Sequence, residues 1–382
     1  MEKADCKKVK ILLLTPSVRP LGARRSLVEL ARSLPSHIDP LLVCPSDTGI
    51  YLELKDLGVP TRVVPHGAWR KATGRLKALF WQLPALRKIA REFQPQVIHA
   101  NELHVVPQAL KTSTKIPVSG HVRLTITPRQ IDTYSMGKCT RIVAVSKAVK
   151  SLFSNTAIYD RVKVVYNGVD ISAVKSSPAT GDLCPEWRSK PSEPPLIFGI
   201  FGLISQRKNQ LVAVEALSRA IVAGANVRLL IAGDAFASSE EYGDRLRERI
   251  GAPDVRDHVV WIPFQKDVGA LYRCIDTNLL ISGEEGFGRT IIEAGAAGIP
   301  SIGTRIGGIP ELIEDNQTGW LVSEGDADEL AQRMVALDAS RDAVREAGAR
   351  AARHVEENFT IQAHAANMVS LWQECIDAGR IV

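Results

Sequence analysis

Two glutamates, Glu285 and Glu293, are the residues best spaced to do chemistry in this sequence. They enclose the segment Gly-Phe-Gly-Arg-Thr-Ile-Ile, and an apolar run, Leu279–Ile281, comes shortly before them. An apolar run, a Gly-rich turn and a helical pattern predict, in that order, a strand, a loop and a helix. Glu285 would therefore lie in a loop at the carboxyl end of a strand, and Glu293 about one turn into the following helix.

The backbone amides at the start of that helix would lie between the two carboxylates. Amides at a helix N-terminus bind anions, and carboxylates accept hydrogen bonds from hydroxyl groups. A ligand with a phosphate and several hydroxyls, such as a nucleotide sugar, suits such a site. The spacing alone is not specific, because a chain of this length contains a Glu-x7-Glu pair by chance about once or twice. Turn glycines and a solvated helix face would also explain the pattern.

The elements that must position these residues repeat along the chain. Short apolar segments alternate with helical patterns in both halves, which predicts mainly parallel, doubly wound sheets. The predicted strands of the first half are Val9–Leu14, Pro40–Val43, Thr61–Val64, Val97–Ala100, Ile116–Gly120, Arg141–Val145 and Val162–Tyr166. The predicted strands of the second half are Leu196–Phe201, Val227–Ala232, Val259–Ile262, Thr277–Ile281, Ser301–Gly303 and Gly319–Val322.

The predicted fold class is α/β, with two Rossmann-like domains that face a cleft. A chain of 382 residues exceeds what one hydrophobic core usually covers. The first domain is expected over 1–178 and the second over 179–360, with a linker rich in Pro and Ser at 171–195. A final helical segment, 361–382, is expected to pack back on the first domain. Ligands of such sheets bind at the carboxyl ends of the strands.

The composition, 45% hydrophobic and 24% charged residues, is typical of a soluble globular protein. No apolar run has the length of a membrane span, and the segment near the amino terminus does not read as a signal peptide. The six cysteines are scattered and lack metal-finger spacing, which favours reduced thiols in the cytoplasm. The expected localisation is cytoplasmic, with peripheral contact to the inner face of a membrane left open.

The charge is distributed unevenly. Residues 1–185 carry 28 Lys and Arg against 13 Asp and Glu, whereas residues 186–382 carry 20 against 29. The segment 62–91 has eight basic residues, no acidic residue and interleaved aromatics. It could lie on an anionic membrane surface, or be a helix that packs on a sheet with its basic residues in solvent. Nucleic acid is not an expected partner, because no nucleic-acid-binding motif accompanies the charge.

Loops rich in Gly and polar residues follow several of the predicted strands. They are 167–170, 202–208, 233–234, 283–288 and 304–311. The carboxyl ends of parallel strands meet at one edge of a sheet, so these loops are expected to gather there. Their recurrence at that edge favours a ligand site over ordinary turns.

With these motifs in place, the chain resembles the retaining glycosyltransferases of family 4, which have the GT-B architecture. The resemblance covers nearly the full length and is strongest over Val259–Val322, which contains Glu-Gly-Phe-Gly, Gly-Ile-Pro and Gly-Gly-Ile-Pro-Glu-Leu-Ile. A second matching region joins 142–147 to 165–170. The resemblance implies transfer of a sugar from a UDP- or GDP-linked donor to an acceptor hydroxyl, without a cofactor. The acceptor is expected in cell-envelope polysaccharide, lipopolysaccharide or glycolipid synthesis, as a sugar, lipid-linked or small molecule.

The resemblance also implies roles for single residues. Glu293 would bind the ribose hydroxyls, Glu285 the transferred sugar and Lys208 the diphosphate, while His121 would lie close to the sugar. Glu285, His121 and Lys208 are the predicted catalytic residues. Further donor-binding residues are predicted at Gly22, Ile262, Phe264, Gly286, Phe287, Gly288, Arg289 and Thr290. His99 and Asn101 are candidate acceptor contacts.

Two positions depart from the family pattern. Leu21 replaces the first glycine of a Gly-Gly loop, and Leu203 stands where the family has an arginine that binds the diphosphate with the lysine. Arg207 or Arg289 is expected to supply the missing charge. Because of these departures, a non-catalytic homologue that binds nucleotide sugars is one alternative. A nucleotide-sugar epimerase of related architecture is the other.

One motif suggests a metal but has a simpler explanation. Asp326-Ala327-Asp328 is a literal Asp-x-Asp, the metal motif of a different glycosyltransferase architecture. Here it opens a helical pattern, and aspartates at a helix start act as caps. No metal site is predicted.

Overall fold

The computed structural model describes residues 8–16, 22–65, 81–177, 187 and 194–380. The chain forms two compact units, the first from residues 1–168 with 361–382, the second from Val169–Thr360. Each unit is built on one parallel sheet with helices, which confirms the predicted α/β class with two Rossmann-like domains.

The sheet of the first unit has seven strands in the order β3-β2-β1-β4-β5-β6-β7, and every adjacent pair is parallel. The strands are β1 Val9–Leu14, β2 Ile38–Cys44, β3 Thr61–Val63, β4 Val97–Ala100, β5 Val118–Val122, β6 Arg141–Ala144 and β7 Val162–Val164. Strands covered by helices on both faces are apolar throughout. Ile11–Leu14 shows this, since all four side chains are almost fully buried.

The sheet of the second unit has six parallel strands in the order β10-β9-β8-β11-β12-β13. The strands are β8 Leu196–Phe201, β9 Val227–Ala232, β10 Val259–Ile262, β11 Thr277–Leu280, β12 Ser301–Thr304 and β13 Gly319–Val322. In both sheets two strands distant in sequence are neighbours, β1 with β4 and β8 with β11. Such switch points are where open α/β sheets bind ligands.

The described residues form fourteen α-helices, most of which lie between strands, while the last three follow β13. They are α1 Gly22–Arg32, α2 Ile50–Asp56, α3 Leu83–Phe93, α4 Val106–Thr112, α5 Pro128–Thr133, α6 Lys147–Ser151, α7 Ile171–Ser176, α8 Gln210–Val222, α9 Glu240–Ile250, α10 Val268–Tyr272, α11 Arg289–Ala296, α12 Ala327–Ala339, α13 Arg341–Asn358 and α14 Ile361–Arg380. Helix α14 belongs to the first unit, where Met368, Leu371 and Trp372 join the hydrophobic core. None of the helices within the described ranges is long and apolar enough to cross a membrane.

Helix α7 belongs to the second unit, so the observed division precedes the boundary predicted at 178. Ser177 Oγ donates to Asp267 Oδ1 at 2.7 Å, just ahead of α10. A Cβ built on Gly269 would lie 2.1 Å from Ser177 Oγ, so only glycine allows this approach. Arg273 also donates to the carbonyl oxygen of Lys175 at 2.7 Å.

Half of the basic segment 62–91, namely 66–80, lies outside the described residues. In its described part, Leu83 and Leu86 of α3 are buried, whereas Arg87, Lys88 and Arg91 are exposed. This part therefore has the pattern of a helix that packs on a sheet with its basic residues in solvent.

The cysteines differ from the expectation of six reduced thiols. Cys274 is disulfide-bonded, whereas Cys44, Cys139 and Cys375 are free and buried. Pairing depends on how closely two cysteines approach in space, which scattered positions in a sequence do not reveal.

Candidate functional site

Lys208 and Glu285 form an ion pair at the switch point of the second sheet. Lys208 lies in the loop after β8, and Glu285 in the loop after β11, so the pairing of these two strands brings the loops together. Lys208 Nζ donates to Glu285 Oε2 at 2.6 Å, and the two side chains are only 15% and 14% exposed. The pair is thus largely shielded from water, where charge interactions are stronger than at a surface.

The charges around Glu285 determine its ionisation. Burial acts to raise the pKa of Glu285, but the positive charge and hydrogen bond of Lys208, with the charge of Arg207, outweigh burial. The pKa of Glu285 therefore lies below its ordinary value, and the carboxylate is charged at neutral pH. A fixed carboxylate of this kind can accept hydrogen bonds from hydroxyl groups.

Arg207 approaches the same carboxylate from a more exposed position. Its NH1 donates to the carbonyl oxygen of Glu284 at 3.0 Å and lies 3.9 Å from Glu285 Oε2. The side chain is 36% exposed. The backbone of the loop is held as well, because the amide of Gly283 donates to the carbonyl oxygen of Arg207 at 2.9 Å.

The loop after β12 supports Glu285 from another side. The amide of Gly308 donates to the carbonyl oxygen of Glu285 at 3.1 Å. A Cβ built on Gly307 would lie 2.0 Å from that same oxygen, and Gly307 has a φ of +55°. Both the close approach and the left-handed backbone require glycine here. The Gly-Gly-Ile-Pro motif therefore shapes the site through its backbone.

Helix α11 begins directly after the Gly-rich turn. Gly288 has a φ of +113° and precedes Arg289, the first helical residue. The amides of the first turn of a helix have no intrahelical acceptor, which makes this end suited to an anion. The Thr290 hydroxyl is buried and has no hydrogen-bond partner among the described residues. Unmet hydrogen-bonding capacity of this kind is uncommon in native interiors.

Glu293 is buried inside the second unit and is held by two side chains. Arg289 donates to Glu293 Oε1 from Nε at 3.2 Å and from NH2 at 2.9 Å. The hydroxyl of Tyr272, at the end of α10, lies 3.4 Å from Glu293 Oε2 and 3.1 Å from the carbonyl oxygen of Thr290. The sequence did not indicate that Tyr272 belongs to the site, because its contact with Glu293 depends on how α10 packs beside α11.

The predicted base pocket follows β10. The Phe264 ring is 43% exposed, and its backbone amide donates to Asp234 Oδ1 at 3.1 Å. The carbonyl oxygen of Ile262 accepts from the amide of Gly233 at 3.1 Å. This places an exposed aromatic ring on a fixed backbone. Phe287 differs, since it is 3% exposed and its ring packs against Phe359, with the centroids 6.2 Å apart.

The first unit contains a separate group of buried polar residues at its strand ends. His121 on β5 is fully buried, and neither of its ring nitrogens has a hydrogen-bond partner among the described residues. Its ring centroid lies 5.6 Å from that of His99 on β4. His99 Nδ1 lies 2.8 Å from Ser119 Oγ, which fixes that ring.

Both histidines are neutral at physiological pH. Burial, followed by the positive charge of Arg123, lowers the pKa of His99 to about 3 and the pKa of His121 well below its ordinary value. A neutral imidazole can still donate from one nitrogen and accept at the other.

Arg123 joins three strand ends of this group and was not anticipated from the sequence. Its Nε and NH2 donate to the carbonyl oxygen and Oδ1 of Asn101 at 3.0 and 2.7 Å, and its NH1 donates to Asn167 Oδ1 at 3.0 Å. Asn101 is fully buried. One feature of the sequence could have pointed to Arg123: like Asn101 and Asn167, it follows a predicted strand.

The structure thus brings the predicted residues together in small groups. Lys208, Arg207 and Glu285 form one group, and Arg289 joins Glu293 in a second. His99, Asn101 and His121 lie in the first unit and are fully buried. Gly22 is exposed at the start of α1, while Leu21 lies outside the described residues.

The Asp-x-Asp motif caps a helix, as predicted. Asp326 Oδ1 accepts from the amide of Glu329 at 2.9 Å at the start of α12, and Asp328 pairs with Arg219 at 2.6 Å. Across the ranges that the structure describes, there is no group of three or more His, Cys, Asp or Glu placed to hold a metal ion.

Comparison with known proteins identifies the family to which the chain belongs. The family model described as glycosyl transferases group 1 matches residues 186–354, and the one described as glycosyltransferase family 4 matches residues 21–173. Together the two models account for most of both units.

Individual relatives match to different extents. N-acetyl-alpha-D-glucosaminyl L-malate synthase of Bacillus anthracis is 34% identical over 38% of this chain, but the match spans only 37% of that protein. The lipopolysaccharide core biosynthesis mannosyltransferase LpcC of Rhizobium leguminosarum bv. viciae is 23% identical over 90% of this chain and 94% of its own length.

A solved structure matches the fold along nearly the whole chain. Anabaena Alr3699/HepE, crystallised with UDP and glucose, aligns with a TM-score of 0.81 at 22% identity, over 95% of this chain and 98% of that chain. At this identity the match shows the fold. With both family models matched and the fold shared, the chain belongs to the family 4 type of glycosyltransferases with the GT-B architecture.

Proposed function

We propose that this protein is a retaining glycosyltransferase that moves a sugar from a UDP- or GDP-linked donor to an acceptor hydroxyl. The observation that carries the proposal is the shielded Lys208–Glu285 pair, whose glutamate lies in the loop that leads into α11. A lysine, a fixed carboxylate and the amides of a helix start together match the charges and hydroxyls of a nucleotide sugar.

Lys208 is suited to the diphosphate. An ammonium group has three N–H donors, and one of them is directed to Glu285. The other two can bind diphosphate oxygens, on which negative charge grows as the sugar departs. Arg207, which is more exposed, can add a second cation. The amides of Arg289 and Thr290 would receive a phosphate oxygen at the helix start.

Glu285 and Glu293 are proposed to bind different hydroxyls. Glu285, next to the phosphate-binding lysine, would accept from hydroxyls of the transferred sugar. Glu293, further along α11, would accept from the ribose diol. The Phe264 ring, 43% exposed, would provide an apolar face for the base together with Ile262.

His121 is proposed to contact the sugar as a neutral group. The anomeric carbon develops positive charge as its bond to the diphosphate breaks, so a charged imidazolium beside it would be repelled. The depressed pKa of His121 keeps the imidazole uncharged. His99 and Asn101, which are as fully buried as His121, remain proposed acceptor-side residues.

The proposed reaction keeps the anomeric configuration. The bond between the anomeric carbon and the diphosphate oxygen breaks, and the acceptor oxygen bonds to that carbon from the same face. The acceptor proton passes to the departing diphosphate oxygen. The protein supplies alignment and charge neutralisation, and neither a metal ion nor a cofactor takes part in this scheme.

The acceptor is proposed to be a component of cell-envelope polysaccharide, lipopolysaccharide or glycolipid. Support comes from the relative that matches along most of both chains, which is named for lipopolysaccharide core biosynthesis. Peripheral contact with an anionic membrane is part of the proposal, because Trp81 is 80% exposed next to the basic residues of α3. Co-sedimentation with vesicles containing anionic lipid, compared with neutral vesicles, tests that contact.

A screen of nucleotide sugars tests the function. UDP, GDP and a panel of their sugar conjugates are added to the purified protein, and thermal stabilisation identifies the nucleotide, because a ligand that binds only the folded state raises the melting temperature. Mass detection of donor hydrolysis and of transfer to candidate acceptors follows. Absence of stabilisation by any nucleoside diphosphate would contradict the proposal. Conversion of the donor sugar without an acceptor would indicate an epimerase instead.

A further inference from the structure

We propose that Arg289 is a positioning residue for Glu293: it fixes the carboxylate that receives the ribose diol and leaves the diphosphate to other groups. This inference rests on the proposed function. It separates two roles that the sequence left open, since either Arg207 or Arg289 could replace the arginine absent at Leu203.

Two donors of the Arg289 guanidinium are directed at Glu293. Nε and NH2 of its guanidinium both donate to Glu293 Oε1, at 3.2 and 2.9 Å. The two side chains are 11% and 4% exposed. Two bonds to one oxygen restrict rotation of the carboxylate and direct its other oxygen, Oε2, to a defined side. A carboxylate has about four acceptor sites, so these two bonds do not exhaust its capacity for hydroxyls.

Tyr272 restricts the carboxylate from that other side. Its hydroxyl lies 3.4 Å from Glu293 Oε2 and 3.1 Å from the carbonyl oxygen of Thr290. The Tyr272 side chain is fully buried, and its ring packs edge-on against Phe201 with the centroids 5.5 Å apart. The hydroxyl is therefore held in place by the core, which gives Glu293 a fixed neighbour on each oxygen.

Helix stability does not explain an arginine at this position. Arg289 is the first residue of α11, where the helix dipole disfavours positive charge. Arginine four residues before glutamate is also the less favourable order for a pair on one helix. An ion pair at the surface would contribute little to folding stability. This pair is buried, so removal of one partner would leave the other charge uncompensated. The arrangement is accounted for by the need to hold Glu293.

Each of the two glutamates of the motif thus has a cation in close contact. Lys208 pairs with Glu285 at 2.6 Å, and Arg289 pairs with Glu293 at 2.9 Å. Arg207 lies 3.9 Å from Glu285, and its side chain is 36% exposed. Because Arg207 is the more accessible and less committed cation, we assign the diphosphate charge missing at Leu203 to Arg207.

The test compares a nucleoside diphosphate with its 2′,3′-dideoxy analogue in Arg289→Leu. UDP or GDP is used, whichever stabilises the wild-type protein, and dissociation constants are measured by calorimetry. We expect the affinity for the ribonucleotide to fall by about tenfold or more, as for loss of a hydrogen bond to a charged group, while affinity for the dideoxy analogue stays within about twofold. The wild-type preference for the ribose diol would then largely disappear.

Arg207→Leu is the matched control, since it removes the same group from the neighbouring loop. It should weaken binding of the ribonucleotide and of the dideoxy analogue equally. It should also weaken binding of the nucleoside monophosphate less than binding of the diphosphate. If Arg289→Leu shows this phosphate-dependent pattern instead, the positioning role is wrong.

The melting temperature of each variant shows whether the protein still folds. A second, milder substitution provides the test if Arg289→Leu does not fold. Arg289→Lys keeps the charge with a shorter reach, so it should retain part of the preference for the diol. A full wild-type preference in both Arg289 variants would overturn the inference. A wild-type protein that binds no nucleoside diphosphate would instead count against the proposed function, so the two failures are distinguishable.

Discussion

Lys208 Nζ lies 2.6 Å from Glu285 Oε2, although 77 positions separate the two residues in the chain. They meet because β8 and β11 are neighbours in the sheet, while β9 and β10 lie on the other side of β8. The loops after β8 and β11 then share one edge of the sheet. The contact joins the predicted diphosphate residue to the predicted sugar residue.

The two motif glutamates should separate functionally when each is changed to glutamine. Glu293→Gln should lower the affinity for the donor and the affinity for the free nucleoside diphosphate alike, by about tenfold, because both ligands carry the ribose. Glu285→Gln should spare the free nucleotide and lower transfer by about a hundredfold or more, because its partner is the transferred sugar. Calorimetry with the nucleotide and mass detection of transfer provide the two measurements. Equal effects of both variants on nucleotide binding would refute the assignment.

The buried histidines should make the protein less stable as the pH falls. The pKa of His99 is lowered from 6.5 to about 3, and that of His121 is lowered well below 6.5. The unfolded chain therefore takes up protons below pH 6.5 that the folded chain does not. Stability is fully present above that pH and should fall below it, by about 1.4 kcal/mol per pH unit for each histidine.

Urea unfolding between pH 6.5 and pH 5 measures this slope. His121→Gln should reduce the slope without abolishing it, because His99 and the partly buried His258, whose pKa is also lowered by burial, would still contribute. A slope that His121→Gln does not alter would show that His121 takes up a proton in the folded state.

Gly307 should tolerate no side chain. Its φ is +55°, and a Cβ would lie 2.0 Å from the carbonyl oxygen of Glu285. Gly307→Ala should therefore move the loop that holds Glu285 and lower transfer by at least about tenfold. Gly325 is the matched control, with a φ of +68° and open space around it. Gly325→Ala should cost only the backbone strain, about 1–2 kcal/mol, and leave transfer intact. Similar losses of transfer in the two variants would contradict the role of the close approach.

Transfer should be insensitive to chelators. In the proposed site, Lys208, Arg207 and the amides at the start of α11 neutralise the departing diphosphate, and Asp326 caps α12. Initial rates with excess EDTA should equal those without it, after dialysis against the chelator. An activity that EDTA abolishes and magnesium or manganese restores would show that a metal performs this step.

Much of the fold could be predicted from the sequence because the strands of a doubly wound sheet are buried on both faces. Such strands are continuous apolar runs bounded by polar turns, as in Val227–Ala232, and each of the thirteen predicted strands overlaps an observed one. Strand ends were less certain, for example at β5, observed over Val118–Val122. Ends depend on hydrogen bonds to neighbouring strands, which a local pattern does not contain.

The candidate site was only partly predictable. Glu285, Glu293 and Lys208 stood out through motif and resemblance. Arg123 and Tyr272 did not, because their roles arise from contacts between elements far apart in sequence: Arg123 bonds to Asn101 and Asn167, and Tyr272 approaches Glu293 from another helix. Phe287 belonged to the motif, yet its ring is buried against Phe359.

The sequence by itself determined the strands, the Gly-rich turns and the presence of two carboxylates and several cations, since these follow from local patterns of burial and backbone geometry. Only the tertiary structure decided which charges pair. Arg289 could have faced solvent or a ligand, but it is directed at Glu293 inside the unit, and Lys208 is directed at Glu285 across two strands. Pairing depends on the order of strands in the sheet and on side-chain direction, and both are set by packing of the whole unit rather than by neighbouring residues.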